Sequence, residues 1–509
     1  MKNDLNSAFG LEALFRAQQA AFTQTPMPDW TTREAHLRAL DAMLLANRAA
    51  IAAAIDADFG NRVASETDIA DVLGSHLGIR HALRHGRRWM KPKRRSSGML
   101  LAPATAKLLP QPLGVVGIVV PWNYPLFLAV GPLTGALAAG NRAMIKPSEF
   151  TPRFGELFSR LIAQTFAPDH VTVVNGDVDV ARAFTSLPFD HLLYTGSTGV
   201  GRQVMRAAAE NLTPVTLELG GKSPALIGPG ARFNDAVDAV ISGKLFNAGQ
   251  TCVAPDYVLV PRGRAQEFIE RARRLTSKLY PDFERNRDYT SIISSRHFER
   301  LGHLASEALS RGATLHTLAD TRSSVSTSTS ASEVAAGKLA SPGYEPASIS
   351  ESVAASAPSI DERFARRFAP LVITGAPDDT AIMREEIFGP LLPVVEYDQF
   401  DDALAYINAR ERPLSMYVFE TDRARIDSAL ARTHAGGVTI NDTLLHVACD
   451  DLPFGGVGPS GMGAYHGKEG FKTFSHMKPV LMQSRWNLRA IVRPPYGLRV
   501  KAVVRMFLR

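Results

Sequence analysis

Cysteine is nearly absent from this chain: its 509 residues carry two, Cys252 and Cys449. Two thiols cannot build a disulfide framework, which points to a reducing compartment and a cytoplasmic location. The N-terminal MKNDLNSAFG has no basic run ahead of an apolar stretch, so no secretory signal is expected. No apolar run reaches the length needed to span a bilayer. Zinc-finger spacing and interleaved aromatic and basic residues are also missing, so the formal charge of +7 carries no nucleic-acid reading. His76, His81 and His85 lie on one basic helix, but no Asp, Glu or Cys completes a ligand set there, and no metal is assigned.

What is present is a large apolar fraction, 45%, enough for an extensive core and two or three domains. Residues 1–95 place Leu37, Leu40, Leu44, Ile51 and Ile55 at helical spacing and read as several helices, one of them capped by Gly60. From Leu113 the texture changes. Residues 115–120 form a continuous apolar run that suits a buried parallel strand, followed by a small-residue helix over 130–139 and a strand over 142–145. Further strands are expected at 171–174, 191–194, 215–219, 257–260, 370–374, 414–419 and 437–441, the alternation of a doubly wound α/β sheet. Residues 320–359 are dense in Ser, Thr and Ala and cannot bury enough surface to offset their ordering entropy, so they read as a disordered insertion.

Several stretches carry chemistry. Cys252 follows a helix expected to end near Asn247 and precedes a strand, with Gly249, Gln250 and Thr251 leaving little bulk around it. A thiolate on such a loop can attack an electrophilic carbon, against the alternative of a small buried hydrophobe. Asn123, in PWNYP at the carboxyl end of a strand, can aim its amide into a cleft as an oxyanion donor, or can satisfy turn backbone instead. Glu218 ends an apolar strand beside two glycines, where desolvation raises a carboxyl toward the range of a general base; the alternative is an ordinary strand-end Glu. Lys146 and Glu149 sit on a post-strand loop suited to a ribose, or to a surface ion pair. The turn Gly196-Ser197-Thr198-Gly199-Val200-Gly201, between a strand and a helix over 202–211, can cradle a pyrophosphate, although its G-x-x-G-x-G spacing is not the usual fingerprint. Glu386 can accept from a sugar and Phe388 can face a ring, or the two can be surface and core. The glycine-rich loop around Phe454 can wall an apolar cleft, and Cys449 reads as structural.

Taken together and in order, PWNYP, IKPSE, YTGSTGVGR, LELGGKSP, GQTC, EEIFGP and PFGGVGPSGMG resemble the aldehyde dehydrogenase superfamily from about Leu11 to Pro495, the insertion aside. YTGSTGVG, GQTCVAPDY and PFGGVGPSGMGAYHGKEGF are most similar to its class-three branch, and RPPYG to bacterial coniferyl aldehyde dehydrogenases. The resemblance implies an α/β fold with a doubly wound, Rossmann-like cofactor domain in 1–219, a catalytic domain in 220–430, a return to the cofactor domain in 431–495 and a basic amphipathic tail in 496–509. A hairpin near 102–112 and a late segment would bridge subunits of a homodimer. Cys252 would attack the aldehyde, Asn123 would hold the oxyanion, and Glu218 would activate water against the thioester. NAD, with NADP as the alternative, would contact Trp122, Lys146, Glu149, Gly196, Ser197, Gly201, Leu219, Glu386 and Phe388. Glu149 would repel the extra phosphate of NADP. The substrate implied is an aromatic aldehyde such as coniferyl aldehyde, with a fatty or medium-chain aldehyde as the alternative. An acylating relative is disfavoured by Glu218, and a non-catalytic binding protein by the intact set of Asn123, Glu218 and Cys252. The tail can lie against a partner subunit or make weak peripheral contact with a membrane.

Overall fold

The computed structural model describes residues 8–319, 364–486 and 493–508. The Ser-rich stretch 320–359 lies outside the described residues. Three sheets organise the chain. The first has six strands in the order Gly461–Met462, Val215–Glu218, His191–Thr195, Val115–Val119, Arg142–Lys146, Val171–Val173. All pair in parallel except the two-residue edge strand Gly461–Met462. Sequence order runs outward in both directions from Val115–Val119, so the sheet is doubly wound. Its switch point lies between that strand and His191–Thr195, where open α/β sheets receive ligands at their carboxyl ends.

Val115–Val119 is apolar at every position because both faces are covered. On one side lies the small-residue helix Phe127–Ala139, eleven of whose residues are buried, with the helices Trp30–Ala46, Arg48–Phe59 and Gly74–Trp89 outside it. On the other side Leu11, Phe15, Phe184, Phe189 and Val204 close the layer. The second sheet has seven strands, from Pro224–Ile227 to Gly437–Ile440 in sequence, all parallel except the edge strand Thr314–Thr317. It too carries an apolar cluster on each face. The third sheet joins Lys93–Arg95, Thr105–Pro112 and Ser475–Met482; the last two strands pair antiparallel over eight positions.

The helix after the glycine turn runs Thr198–Ala209, four residues ahead of the start read from sequence. Ser197 caps it through a side chain that accepts from the Val200 N–H. Gly199 and Gly201, which read as turn residues, belong to its first turn. On the helix Gly74–Trp89, His76 pairs with Asp41 at 2.6 Å, and His81 lies 3.4 Å from Asp451. Cys449 is exposed, which corrects its reading as a structural cysteine: its short turn leaves the thiol outside the core. Among the described residues no helix is long and apolar enough to cross a membrane.

Candidate active site

The loop that carries Cys252 is built from backbone that few sequences tolerate. The helix Phe233–Leu245 gives way to a tight turn, Phe246–Gly249, in which Asn247 and Ala248 both hold φ of 51°. Left-handed backbone at non-glycine residues costs about 1–3 kcal/mol each and persists only where the surroundings enforce it. Here they do. Gly249, at φ 75°, brings its backbone so close to the Gly389 carbonyl that a Cβ would lie 2.4 Å from that oxygen. The Gln250 side chain donates to the Asn247 carbonyl (3.0 Å) and the Ser291 carbonyl (3.1 Å) and accepts from the Ile293 N–H (3.0 Å). Thr251 meets the Tyr124 hydroxyl at 2.5 Å, and the Tyr417 hydroxyl donates to the Val253 carbonyl. Cys252 is thus fixed by bonds on both sides of it.

The same network carries Asn123 to the loop. Its carbonyl accepts from Arg62 (2.8 Å) and from the Asn247 amide (3.2 Å), and its own side chain is buried. Arg62 is fully buried, 2.9 Å from Asp71, whose other oxygen accepts from the Leu126 and Phe127 N–H groups. Its guanidinium also lies 4.9 Å from the centre of the Tyr124 ring. Nothing local in the sequence marks Arg62 or Asp71, because their partners are distant in the chain. Arg62→Met is expected to lower unfolding stability by about 3 kcal/mol, since it strands a buried carboxylate. Chemical denaturation of the two proteins measures that difference.

Glu218 ends its strand with both carboxylate oxygens buried and without a hydrogen-bond partner among the described residues. Burial pushes its pKa well above the ordinary carboxylate range. Cys252 is pushed up to about 12 by burial first, then by the charges of Glu386 and Glu218, while the backbone N–H groups of Cys252 and Val253 pull the other way. A charged Glu218 therefore opposes ionisation of the Cys252 thiol.

The remaining expected residues fall into two groups. Trp122 meets Phe388 edge-on at 5.3 Å and His297 at 5.2 Å, and Phe388 holds φ of 49°. Beside them Glu386 lies over Gly220, where a Cβ would stand 2.0 Å from its carboxylate. Burial and the Asp256 charge push the Glu386 carboxyl up to about 8, and its Oε1 has no partner among the described residues. The backbone of this loop is fastened by Arg300, which donates to the Glu386 (3.3 Å) and Ile387 carbonyls. Lys222 donates to the Ile382 (2.7 Å) and Glu385 (3.0 Å) carbonyls and to Asp256, whose other oxygen accepts from the Ile387 N–H.

The second group lies at the carboxyl ends of the six-stranded sheet. Lys146 is buried and donates to the Pro147 carbonyl at 2.7 Å, with Glu149, exposed, supporting its charge. Gly201 lets its helix approach Leu219, whose Cδ2 a Cβ would meet at 2.6 Å; Leu219 itself donates to the Ser460 carbonyl. At Gly196 a Cβ would meet the Tyr194 hydroxyl at 2.3 Å.

Cys252 opens on its other side to a cleft of about 410 Å³ lined by Tyr124, Phe127, Phe246, Leu444 and Phe454. Ile69, Leu77 and Leu445 stand exposed at its rim. Phe454 walls this cleft, as its loop was expected to; Leu126, beside Tyr124, is core.

The aldehyde dehydrogenase family profile matches residues 6–329 and 357–480, interrupted only within the Ser-rich stretch. A probable coniferyl aldehyde dehydrogenase of Pseudomonas aeruginosa is 49% identical over 98% of this chain and 96% of its own. The substrate-bound Staphylococcus aureus AldH superposes with a TM-score of 0.84 at 33% identity, over 98% of this chain and 99% of its own. An aldehyde dehydrogenase of Mycobacterium tuberculosis complexed with NAD+ does so at 0.79 and 27% identity, over 95% and 92%. Likeness that runs the whole length of both chains, rather than through one shared motif, places this protein in the aldehyde dehydrogenase family, as an oxidoreductase acting on aldehydes.

Proposed function

We propose that this enzyme oxidises an aromatic aldehyde of the coniferyl type to its carboxylic acid through covalent intermediates on Cys252. The observation that carries the reading is the position of Cys252, on an aromatic cleft and within reach of the charge of Glu218, a buried carboxylate with no partner among the described residues. Glu218 accepts the thiol proton and passes it to solvent before hydrolysis, and the sulfur forms a bond to the aldehyde carbon. The oxyanion of the resulting thiohemiacetal is held by the Asn123 amide and by backbone N–H at Cys252. A bound nicotinamide nucleotide supplies the acceptor for the hydride whose loss leaves a thioester. Glu218 then takes a proton from water as its oxygen attacks the thioester carbon, the C–S bond breaks, and acid and thiolate separate.

The residues suit such a cofactor. The unpartnered Glu386 Oε1 is a ready acceptor for a ribose hydroxyl, with Phe388 and Trp122 as flat neighbours for a ring. Lys146 and Glu149 face a second ribose. Gly196, Ser197 and the helix behind them, packed on Leu219 through Gly201, offer a positive end to a pyrophosphate. Glu149 disfavours a 2′-phosphate, so NAD is the preferred cofactor and NADP the weaker one. In this division residues 1–219 hold the cofactor, 220–430 carry the chemistry and 431–495 return to the cofactor side. A homodimer accords with Ser475–Met482, an edge strand that exposes Leu481 and Met482. The tail helix Leu498–Phe507 has no buried residue and exposes Leu498, Val504, Met506 and Phe507 beside Arg499, Lys501 and Arg505, a composition suited to weak contact with an anionic membrane. A cytoplasmic location accords with a mechanism that needs Cys252 reduced.

The test is formation of NADH and NADPH with coniferyl, benzyl and long-chain aldehydes. The highest kcat/KM with coniferyl aldehyde and NAD supports the proposal. A preference for long-chain aldehydes overturns the aromatic assignment, and no cofactor reduction with any of them overturns the reaction.

A further inference from the structure

His466 stands on strained backbone, and nothing in the described fold uses its ring nitrogens. Its φ is 103° just ahead of the short helix Gly467–Thr473, a conformation that favours glycine and persists at other residues only where the surroundings enforce it. The side chain is 8% exposed, and neither Nδ1 nor Nε2 has a hydrogen-bond partner among the described residues. Burial, then the charge of His446, lowers its pKa to about 4, so the neutral ring offers one N–H and one lone pair. It stacks on Phe454, 5.1 Å between centres, and meets Phe127 edge-on at 5.8 Å. Both of those aromatics line the cleft to which Cys252 opens. Packing alone would be served better by a phenylalanine, since idle buried nitrogens are a desolvation loss.

Beside the cleft lies a narrower slot of about 30 Å³, between the helices Gly74–Trp89 and Phe127–Ala139, with His466 in its wall. Gly74, Phe127 and Asp450 line both spaces, whereas Cys252 lines the cleft alone. At Gly74 a Cβ would lie 3.0 Å from the Phe127 ring, and at Gly78 it would lie 3.5 Å from Asp450 Oδ1. Asp450 is half-buried; burial raises its pKa, against the charge of His81 and with that of Asp451. The slot thus has a donor in His466, an acceptor in Asp450 and room for a single hydroxyl group or a single water.

From this geometry we propose that the slot is a hydroxyl subsite of the cleft: it takes the ring hydroxyl of a phenolic aldehyde, whose O–H donates to the Asp450 carboxylate while the His466 ring N–H donates to the same oxygen. The inference rests on the aromatic-aldehyde reading above and names the residues that would make the enzyme prefer a hydroxylated ring to a bare one. A phenol is a good donor to an ionised acceptor, and such bonds are about twice as strong as neutral ones. A site built to hydrogen-bond a substrate hydroxyl also rejects the analogue that lacks it, because its own buried polar groups are then left unpaired.

The test is the ratio of kcat/KM for coniferyl aldehyde to that for cinnamaldehyde, which carries the same unsaturated side chain on a bare ring. The O-methyl ether of coniferyl aldehyde keeps the bulk and loses the donor. In the parent, coniferyl aldehyde is expected to exceed both analogues by about tenfold or more, as a hydrogen bond to a charged group allows. His466→Phe keeps a ring against Phe454 and loses both nitrogens, and Asp450→Ala removes the acceptor. Each is expected to lower the ratio about fivefold or more. The ratio is blind to a general loss from altered packing, since both substrates use the same cleft and the same thiol. Equal rates for coniferyl aldehyde and cinnamaldehyde in the parent would mean that the slot holds water only, and would overturn the inference. A preference that survives in both variants overturns it too. Asp450→Ala alters a half-buried side chain and decides the matter should His466→Phe fail to fold. A preference of the parent for long-chain aldehydes overturns the aromatic reading and the subsite with it. A preference for aromatic aldehydes that ignores the ring hydroxyl overturns the subsite alone.

Discussion

Cys252→Ala is expected to abolish aldehyde-dependent NADH formation, a fall of about 10⁴ or more, because the nucleophile and both covalent intermediates vanish together. Among the described residues no side-chain hydrogen bond runs to the thiol. The loop is held by Gln250, Thr251 and the Tyr417 hydroxyl instead, so the variant should fold and bind cofactor as the parent does. Two measurements make the comparison: NADH absorbance under saturating coniferyl aldehyde, and cofactor binding by fluorescence. Retained binding with no turnover is the expected pair. Residual turnover above about one part in 10³ would mean that the aldehyde reacts without the thiol. The pH dependence has a defined sign as well. Burial, Glu386 and Glu218 push Cys252 up to about 12, so the rate of acylation by the parent enzyme should climb with pH across the neutral range.

How much of this was legible depended on whether the signal was local. Val115–Val119 and His191–Thr195 announce themselves because strands buried on both faces must be apolar at every position. Asn123 and Glu218 stand out as polar groups that follow or end apolar strands, and Cys252 as a thiol on a loop of small residues; the fold puts each there. The helix start at Thr198 was missed by four residues because glycine read as a breaker. There Gly201 serves close packing against Leu219, and Ser197 supplies the cap. The strand Leu391–Tyr397 was not read, since Pro393 interrupts its pattern.

The supports of the site were illegible for a different reason. Arg62 reaches Asn123, Gln250 reaches Ser291 and Ile293, and Lys222 reaches Ile382 and Glu385. Each bond joins parts of the chain whose proximity only the folded sheets create. A single sequence shows which side chains are chemically capable; it does not show which distant carbonyl each will meet. Tyr465 lies in a glycine-rich stretch where nothing local marks it, and only its burial without a partner among the described residues sets it apart.

Glu218→Gln should separate the two halves of the reaction. Glutamine matches the shape of the carboxyl but cannot take a proton from water, so hydrolysis of the thioester should slow by about 10³. Acylation needs only one proton removed from Cys252, and at alkaline pH solvent hydroxide can remove it. A burst of NADH close to one equivalent per site, followed by a near-silent steady state, is the expected trace above about pH 9. A steady state equal to the parent's would remove Glu218 from the mechanism. Loss of fold is not an available explanation for the stalled phase, and linkage says why. Burial raises the folded-state pKa of Glu218 above its unfolded value. The stabilisation this group brings is therefore fully present below the unfolded pKa and is lost as pH rises through the folded one. At assay pH the parent bears the burden of an ionisable group in a desolvated site, and the neutral amide does not. Glu218→Gln should accordingly melt no lower than the parent at pH 9, and its midpoint should vary less between pH 5 and 9. A stable protein that acylates once and stops would locate the role of Glu218 in deacylation.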